Sequence, residues 1–153
     1  MTRFATTLLI AAAYLGATAA EDKPDKKPAV KVEFRRAETE AAEGLTEATI
    51  VGTDKKIYLH KTAELTNSDI TSAKPGRDAD KMPCVELTLT AQGSEKIQKL
   101  TREHRDKPLA ILIDGKVISA PTIRAAISGP SVTISGNYTQ EEVENLAKAI
   151  NGK

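Results

Sequence analysis

The chain has 153 residues, of which 40% are hydrophobic and 28% charged, and its formal net charge is +1. That is one domain's worth of globular composition, which excludes a collagen-like, low-complexity or wholly disordered chain and a multi-span membrane protein. A charge so near zero advertises no nucleic acid or acidic polymer. Aromatics at 3% leave little from which to build a stacking platform for single-stranded nucleic acid or a cage for methylated ammonium groups.

Residues 1–20 (MTRFATTLLIAAAYLGATAA) carry Arg3 near the start, then an uncharged apolar run, then small residues at Ala17, Ala19 and Ala20. This is the layout of a secretory signal peptide with cleavage expected after Ala20. The run is weakened by Thr6, Thr7 and Gly16 and falls short of the ~20 strongly apolar residues a span needs. Loss of Arg3 leaves the mature chain formally neutral, with no membrane span. Residues 21–29 open with EDKPDKKP, a charged, Pro-containing stretch expected to be a flexible tether. Residues 30–153 then form the expected folded domain. Cys84 is the one cysteine, so the fold has to rest on its apolar core. A chain of about 130 residues can bury around two thirds of its unfolded surface, which suffices.

Within the domain, Val30, Val32 and Phe34 alternate with Lys31, Glu33 and Arg35, predicting a half-buried strand over 30–36. Residues 37–55 read as a long acidic connection, and 57–60 as a short strand. Thr66 with Asp69 three residues later, flanked by Leu65 and Ile70, gives a capping box and staple, predicting a short helix over 65–73 that Pro75-Gly76 ends. Residues 76–83 read as a polar loop. Val85, Leu87 and Leu89 alternate with polar residues in a third strand, where Cys84 is expected to be half-buried. Thr90 then caps a helix running to about Arg105.

Residues 109–113 (LAILI) are apolar without alternation, which predicts a central strand covered on both faces. Asp114-Gly115 is a strong hairpin signal. The return strand opens at Val117 and Ile118 and meets Pro121, which ends or edges it. A turn at 128–130 precedes a strand over 132–135. The last helix has Thr139 as cap, Glu142 completing the box, Tyr138 and Val143 as staple, and Val143, Leu146, Ala147 and Ile150 on one face. The expected class is α+β: a mixed, largely antiparallel sheet with about three helices packed against it.

Chemistry-bearing clusters are scarce. His60 and His104 lie far apart, without neighbours at ligand spacing, so no metal site is expected. Asp78-Ala79-Asp80 resembles the start of a calcium loop, but Pro83 stands where the glycine belongs and Leu89 where the glutamate belongs. There is no G-x-S-x-G elbow and no phosphate-binding glycine loop. Glu38, Glu40, Glu43 and Glu47 read as a solvated acidic loop. Lys96, Lys99, Arg102, Arg105 and Lys107 interleave with Glu95 and Glu103 as a solvated face whose ion pairs contribute little. No cofactor and no enzymatic activity are expected.

Residues 107–121 read KPLAILIDGKVISAP, followed by Ile127-Ser128-Gly129, by 132–139 (VTISGNYT) and by the final acidic-start helix. This resembles the head subdomain in the first periplasmic domain of SecD, the translocase subunit. KIYLHK at 56–61, LTNSDI at 65–70 and the run 85–100 agree in order, so the likeness extends from about Val32 to Asn151. In that family the head sits on a base subdomain followed by membrane helices that couple proton flow to movement. This sequence ends at Lys153, where the base would resume. The expectation is therefore a stand-alone head that is not by itself a proton-driven translocase.

The resemblance implies an exported, periplasmic or extracellular module that binds unfolded or extended polypeptide, alone or beside the Sec translocon. A strand edge next to Pro121, or a groove beside 123–127, would suit strand addition. The expected contact residues are Ser119, Pro121, Ile123 and Ile127. The alternative is a structural or interaction domain with a folded protein partner, met through the acidic 37–47 loop. A fold-level likeness is associational, and the site has to carry the function.

Overall fold

The computed structural model describes residues 30–152; the expected signal peptide and tether, residues 1–29, lie outside them. Among the described residues, β1 (Val32–Glu38), β2 (Thr46–Thr49), β3 (Lys56–Thr66), β6 (Leu109–Ile113) and β7 (Lys116–Ser119) form one sheet in the order β2-β3-β1-β6-β7. A second sheet joins β4 (Ile70–Arg77), β5 (Pro83–Leu89) and β8 (Ser131–Ser135) in the order β4-β5-β8. Every pairing is antiparallel. Among the described residues two α-helices complete the fold, α1 (Ala91–Glu103) and α2 (Gln140–Ile150). The α+β class holds, with two sheets instead of one and two helices instead of about three.

The missing helix is the one expected over 65–73. Its capping box does form: Thr66 N–H donates to Asp69 Oδ2 at 3.0 Å. It starts only a 3-10 turn, Asn67–Asp69, and the chain is extended from Ile70 onward. A helix there would end within two turns at Pro75, whereas extended backbone pairs Ala73 with Leu87 and Lys74 with Glu86 in β4·β5. Sheet pairing overrides the local start signal. Strand β3 is longer than the expected 57–60 because bulges disturb its alternation: Phe34 faces Leu65, Arg35 faces Ala63 and Ala37 faces Leu59. Within the expected connection 37–55 lies β2, short and mostly exposed, joined to β3 by a Lys56–Glu47 ion pair of 2.8 Å.

The run at 109–113 is covered on both faces, as expected. Leu109 and Ile111 enter a core shared by both sheets and both helices, with Phe34, Leu65, Leu87, Ile97, Ile134 and Val143. Ala110 and Leu112 point the other way, into a smaller core with Ala37, Ile57, Leu59 and Val117. The sheet curls around that second core. Val51, just beyond β2 on one edge, donates its N–H to the carbonyl of Val117 on the opposite edge at 2.8 Å. The hairpin between β6 and β7 turns at Asp114 (φ 48°) and Gly115 (φ 79°). Asp114 also bonds Lys31 in both directions, each at 2.8 Å, and so extends the β1·β6 ladder.

Both helices start as their sequences predict. Thr90 Oγ1 accepts from Gly93 N–H at 3.0 Å, and Thr139 and Glu142 bond reciprocally at 2.7 and 3.2 Å. Cys84 is a free thiol and fully buried, where half-burial was expected. Burial pushes its pKa up, which suits a packing residue and not a nucleophile. Asp78 Oδ1 accepts from the N–H groups of Asp80 and Met82, both at 3.0 Å, making the 78–82 segment a polar turn.

Candidate functional site: a groove at the end of β7

Three segments converge where the curled sheet closes. The first is the turn after β2. Ile50 N–H bonds Lys55 O at 3.0 Å, and Thr53 returns both its N–H and its hydroxyl to Ile50 O at 3.0 and 2.9 Å. The turn is thereby stiff, and its Val51 N–H docks it on β7. The second is the end of β7 and its continuation through Ser119, Ala120 and Pro121. The third is the approach to α2, Gly136 to Tyr138. Between them lies a groove of about 520 Å³.

Its apolar lining comes from Ile50, Val51, Ile118, Pro121 and Tyr138, and its charged groups are Lys55 and Glu142 on different walls. Val51 is 55% exposed, a large apolar side chain left on the lip. Tyr138 packs half-buried against the larger core. A Cβ on Gly136 would lie 2.6 Å from the Tyr138 ring, so glycine there is what lets the ring lie flat over the chain. Burial pushes the Tyr138 phenol up, helped by the nearby Glu142 carboxylate, so it stays a neutral hydrogen-bonding group. Hydrogen bonds from the Thr139 backbone and hydroxyl hold the Glu142 carboxyl below its ordinary value. The surface offers apolar contact and a few polar handles, with no convergent nucleophile and base.

Of the four residues expected to make contact, Ser119 and Pro121 line this groove. Ile123 is turned away. It is 7% exposed and part of the larger core. Its N–H bonds Lys107 O at 2.9 Å and its carbonyl accepts from Asp106 N–H at 2.8 Å. Leu109 N–H likewise bonds Pro121 O at 2.9 Å, so one edge of 121–123 already pairs with the chain leading into β6. Ile127 is half-buried against the same core, and its N–H donates to Thr101 Oγ1 at 2.8 Å. The expected strip through Ile127 therefore divides: its first half faces the groove and its second half is core.

Thr101 is fully buried in α1 and donates its own proton to Ile97 O at 2.7 Å. It ties the 123–130 segment to the helix. Thr101→Val keeps the shape and leaves the Ile127 N–H without an acceptor. We expect a loss of about 1–2 kcal/mol and faster amide exchange at Ile127; unchanged protection there would rule this anchor out.

Val51 and Tyr138 were not anticipated as groove residues. Ile50-Val51, two adjacent large apolar residues in a largely acidic connection, was the available signal. The acidic residues resolve as solvated partners. Glu38 pairs with Lys107 at 2.7 Å and with His60 at 3.5 Å, and the Lys107 hydrogen bond is the main cause holding its carboxyl below the usual range.

A family model described as SecDF, P1 head subdomain matches residues 49–153. The chain belongs to that family. This P1 head is 43% identical over 86 residues to protein translocase subunit SecD of Leptotrichia buccalis, covering 56% of this chain and 21% of that one. It is 40% identical over 86 residues to protein translocase subunit SecDF of Thermus thermophilus, covering 56% and 12%. A solved structure described as a membrane component SecDF that enhances protein export superposes with a TM-score of 0.65 at 28% identity, over 82% of this chain and 63% of that one. The head thus spans about a fifth of the SecD relative and about an eighth of the SecDF relative. The expectation of a non-enzymatic domain agrees with membership in a family of translocase subunits. Among the described residues no helix is long and apolar enough to cross a membrane.

Proposed function

We propose that this head domain is an exported, non-enzymatic module of protein translocation that holds extended or unfolded polypeptide, in the periplasm or outside the cell, beside the Sec translocon. The family supports the translocation setting, and the signal-peptide reading of residues 1–20 supports the location. The observation that carries polypeptide binding is the groove, where exposed Val51 and the apolar sides of Ile118, Pro121 and Tyr138 meet. Such a surface takes apolar side chains of varied sequence from an extended segment. Ser119 and Pro121 are contact residues in this reading; Ile123 and Ile127 support them from behind.

The test is an amide-resolved NMR titration with an unfolded secretory polypeptide at two salt concentrations. Shifts should cluster on 50–53, 118–121 and 136–138 and survive the higher salt, because apolar contacts are not screened. Val51→Glu lies on the exposed lip and should weaken binding by about tenfold, about 1.4 kcal/mol. Absence of shifts at high polypeptide concentration would overturn the reading. It would favour the second one, a folded partner met at the hollow lined by Glu38, Glu40, Glu43 and His60.

A further inference from the structure

Strand β4 is an edge strand, and an open edge invites pairing with another chain. A side chain closes this one. Asn151, the C-cap of α2, accepts from Ala73 N–H through Oδ1 at 2.9 Å and donates from Nδ2 to Ala73 O at 2.7 Å. Its amide thus stands in for one residue of a neighbouring strand. Asn67 plays a similar part for β1, bonding Val32 N–H and Val30 O at 2.8 and 3.1 Å. The two differ in the next residue along the chain. Of the four asparagines in the chain, Asn151 alone precedes glycine.

Asn-Gly is the pair in which the backbone nitrogen most readily attacks the preceding side chain, because glycine has no Cβ to obstruct the approach. The Gly152 nitrogen gives up its proton to solvent and bonds to Asn151 Cγ. Nδ2 takes up a proton from solvent as the Cγ–Nδ2 bond breaks, and ammonia leaves. Water then opens the five-membered imide at either carbonyl, giving aspartate or isoaspartate. No oxidant or reductant is involved.

In the folded chain both reacting groups are held. Gly152 N–H donates to Ala149 O at 3.1 Å, Gly152 is buried, and the Asn151 amide is fixed at both ends. We propose that Asn151 is a deamidation site gated by the fold, and that the modification, once made, stops the end of α2 from closing again on the β4 edge. A carboxylate has no N–H for Ala73 O and would set oxygen against oxygen. It would also place a negative charge at the C-terminus of a helix, where the macrodipole disfavours it.

The experiment tracks conversion of Asn151 by peptide mass mapping of the whole chain at mildly alkaline pH, folded and in denaturant. Conversion should be at least about tenfold slower in the folded chain, the factor that a local opening free energy of about 1.4 kcal/mol imposes. Equal rates would overturn the gate. The deamidated protein, separated by charge, should lose amide-exchange protection at Ala73 relative to the parent. Unchanged protection there would overturn the one-way consequence. Both arms use the unsubstituted chain, so neither depends on a variant that fails to fold.

Discussion

Phe34→Ala is expected to lower the unfolding free energy by about 3–5 kcal/mol, a large fraction of the 5–15 kcal/mol typical of a domain. Phe34 is fully buried. It sits on β1 between Leu65 of β3 and Ile111 of β6, at the point where the first β3 bulge begins. Its ring belongs to the core that both sheets and both helices share. Removing it therefore opens a cavity at the junction of the two sheets, with bulged backbone on one side and central strands on the other. Urea titration should give a lower midpoint with the slope unchanged. A loss under about 1 kcal/mol would mean that the site collapses to fill the space and that the sheets are joined elsewhere.

Asp69→Ala should cost about 2–3 kcal/mol. Asp69 is only 3% exposed, and its carboxylate receives the Thr66 N–H at 3.0 Å and the Lys96 ammonium at 2.7 Å. Lys96 is about half exposed, so water takes over much of its lost pairing and that part of the cost is small. The larger part is the Thr66 N–H left without a partner and the lost box that fixes the 3-10 turn. The same turn is pressed against α1: Thr90 N–H donates to Asp69 O at 2.9 Å, and a Cβ on Gly93 would come within 2.5 Å of that oxygen. Only glycine allows so close a crossing. Thermal unfolding of Asp69→Ala beside Asp69→Asn separates the contributions, because the amide can still accept from Thr66 while losing charge. Equal stability of the alanine variant and the parent would show that the turn holds α1 through its backbone alone.

The elements that were legible in the sequence are those whose signals are local and undisturbed. Thr139, Glu142 and the spacing Val143, Ala147, Ile150 specify α2 completely, and LAILI with Asp114-Gly115 specifies the central hairpin. Thr66 and Asp69 were read correctly as a cap, yet whether a cap starts a helix depends on the residues beyond it, and 70–77 had a strand partner in β5 that no local window includes. The length of β3 was hidden by its bulges, since each extra residue moves the apolar positions to the other face. The groove was half legible. Ser119 and Pro121 were readable from the chain leaving β7, whereas Val51 reaches the groove only because the sheet curls, a long-range property that no window of sequence contains. Ile123 and Ile127 looked like surface because the segment around them is polar and turn-rich.

The curl has a thermodynamic side. Among the described residues the cluster it encloses has six buried side chains, Ala37, Ile57, Leu59, Ala110, Leu112 and Val117, against seventeen in the core around Phe34, so it holds less apolar area. Separating the Val51 hairpin from β7 would break the Val51–Val117 bond and wet part of this smaller cluster, Val117 and Ile50 among it. With the smaller core to lose, this closure is expected to open below the free energy of global unfolding. The wall that carries Val51 can thus move outward while the other two stay fixed on the larger core. The width of the groove is set by a weak spring, and a bulky side chain can be admitted without disturbing the rest of the molecule.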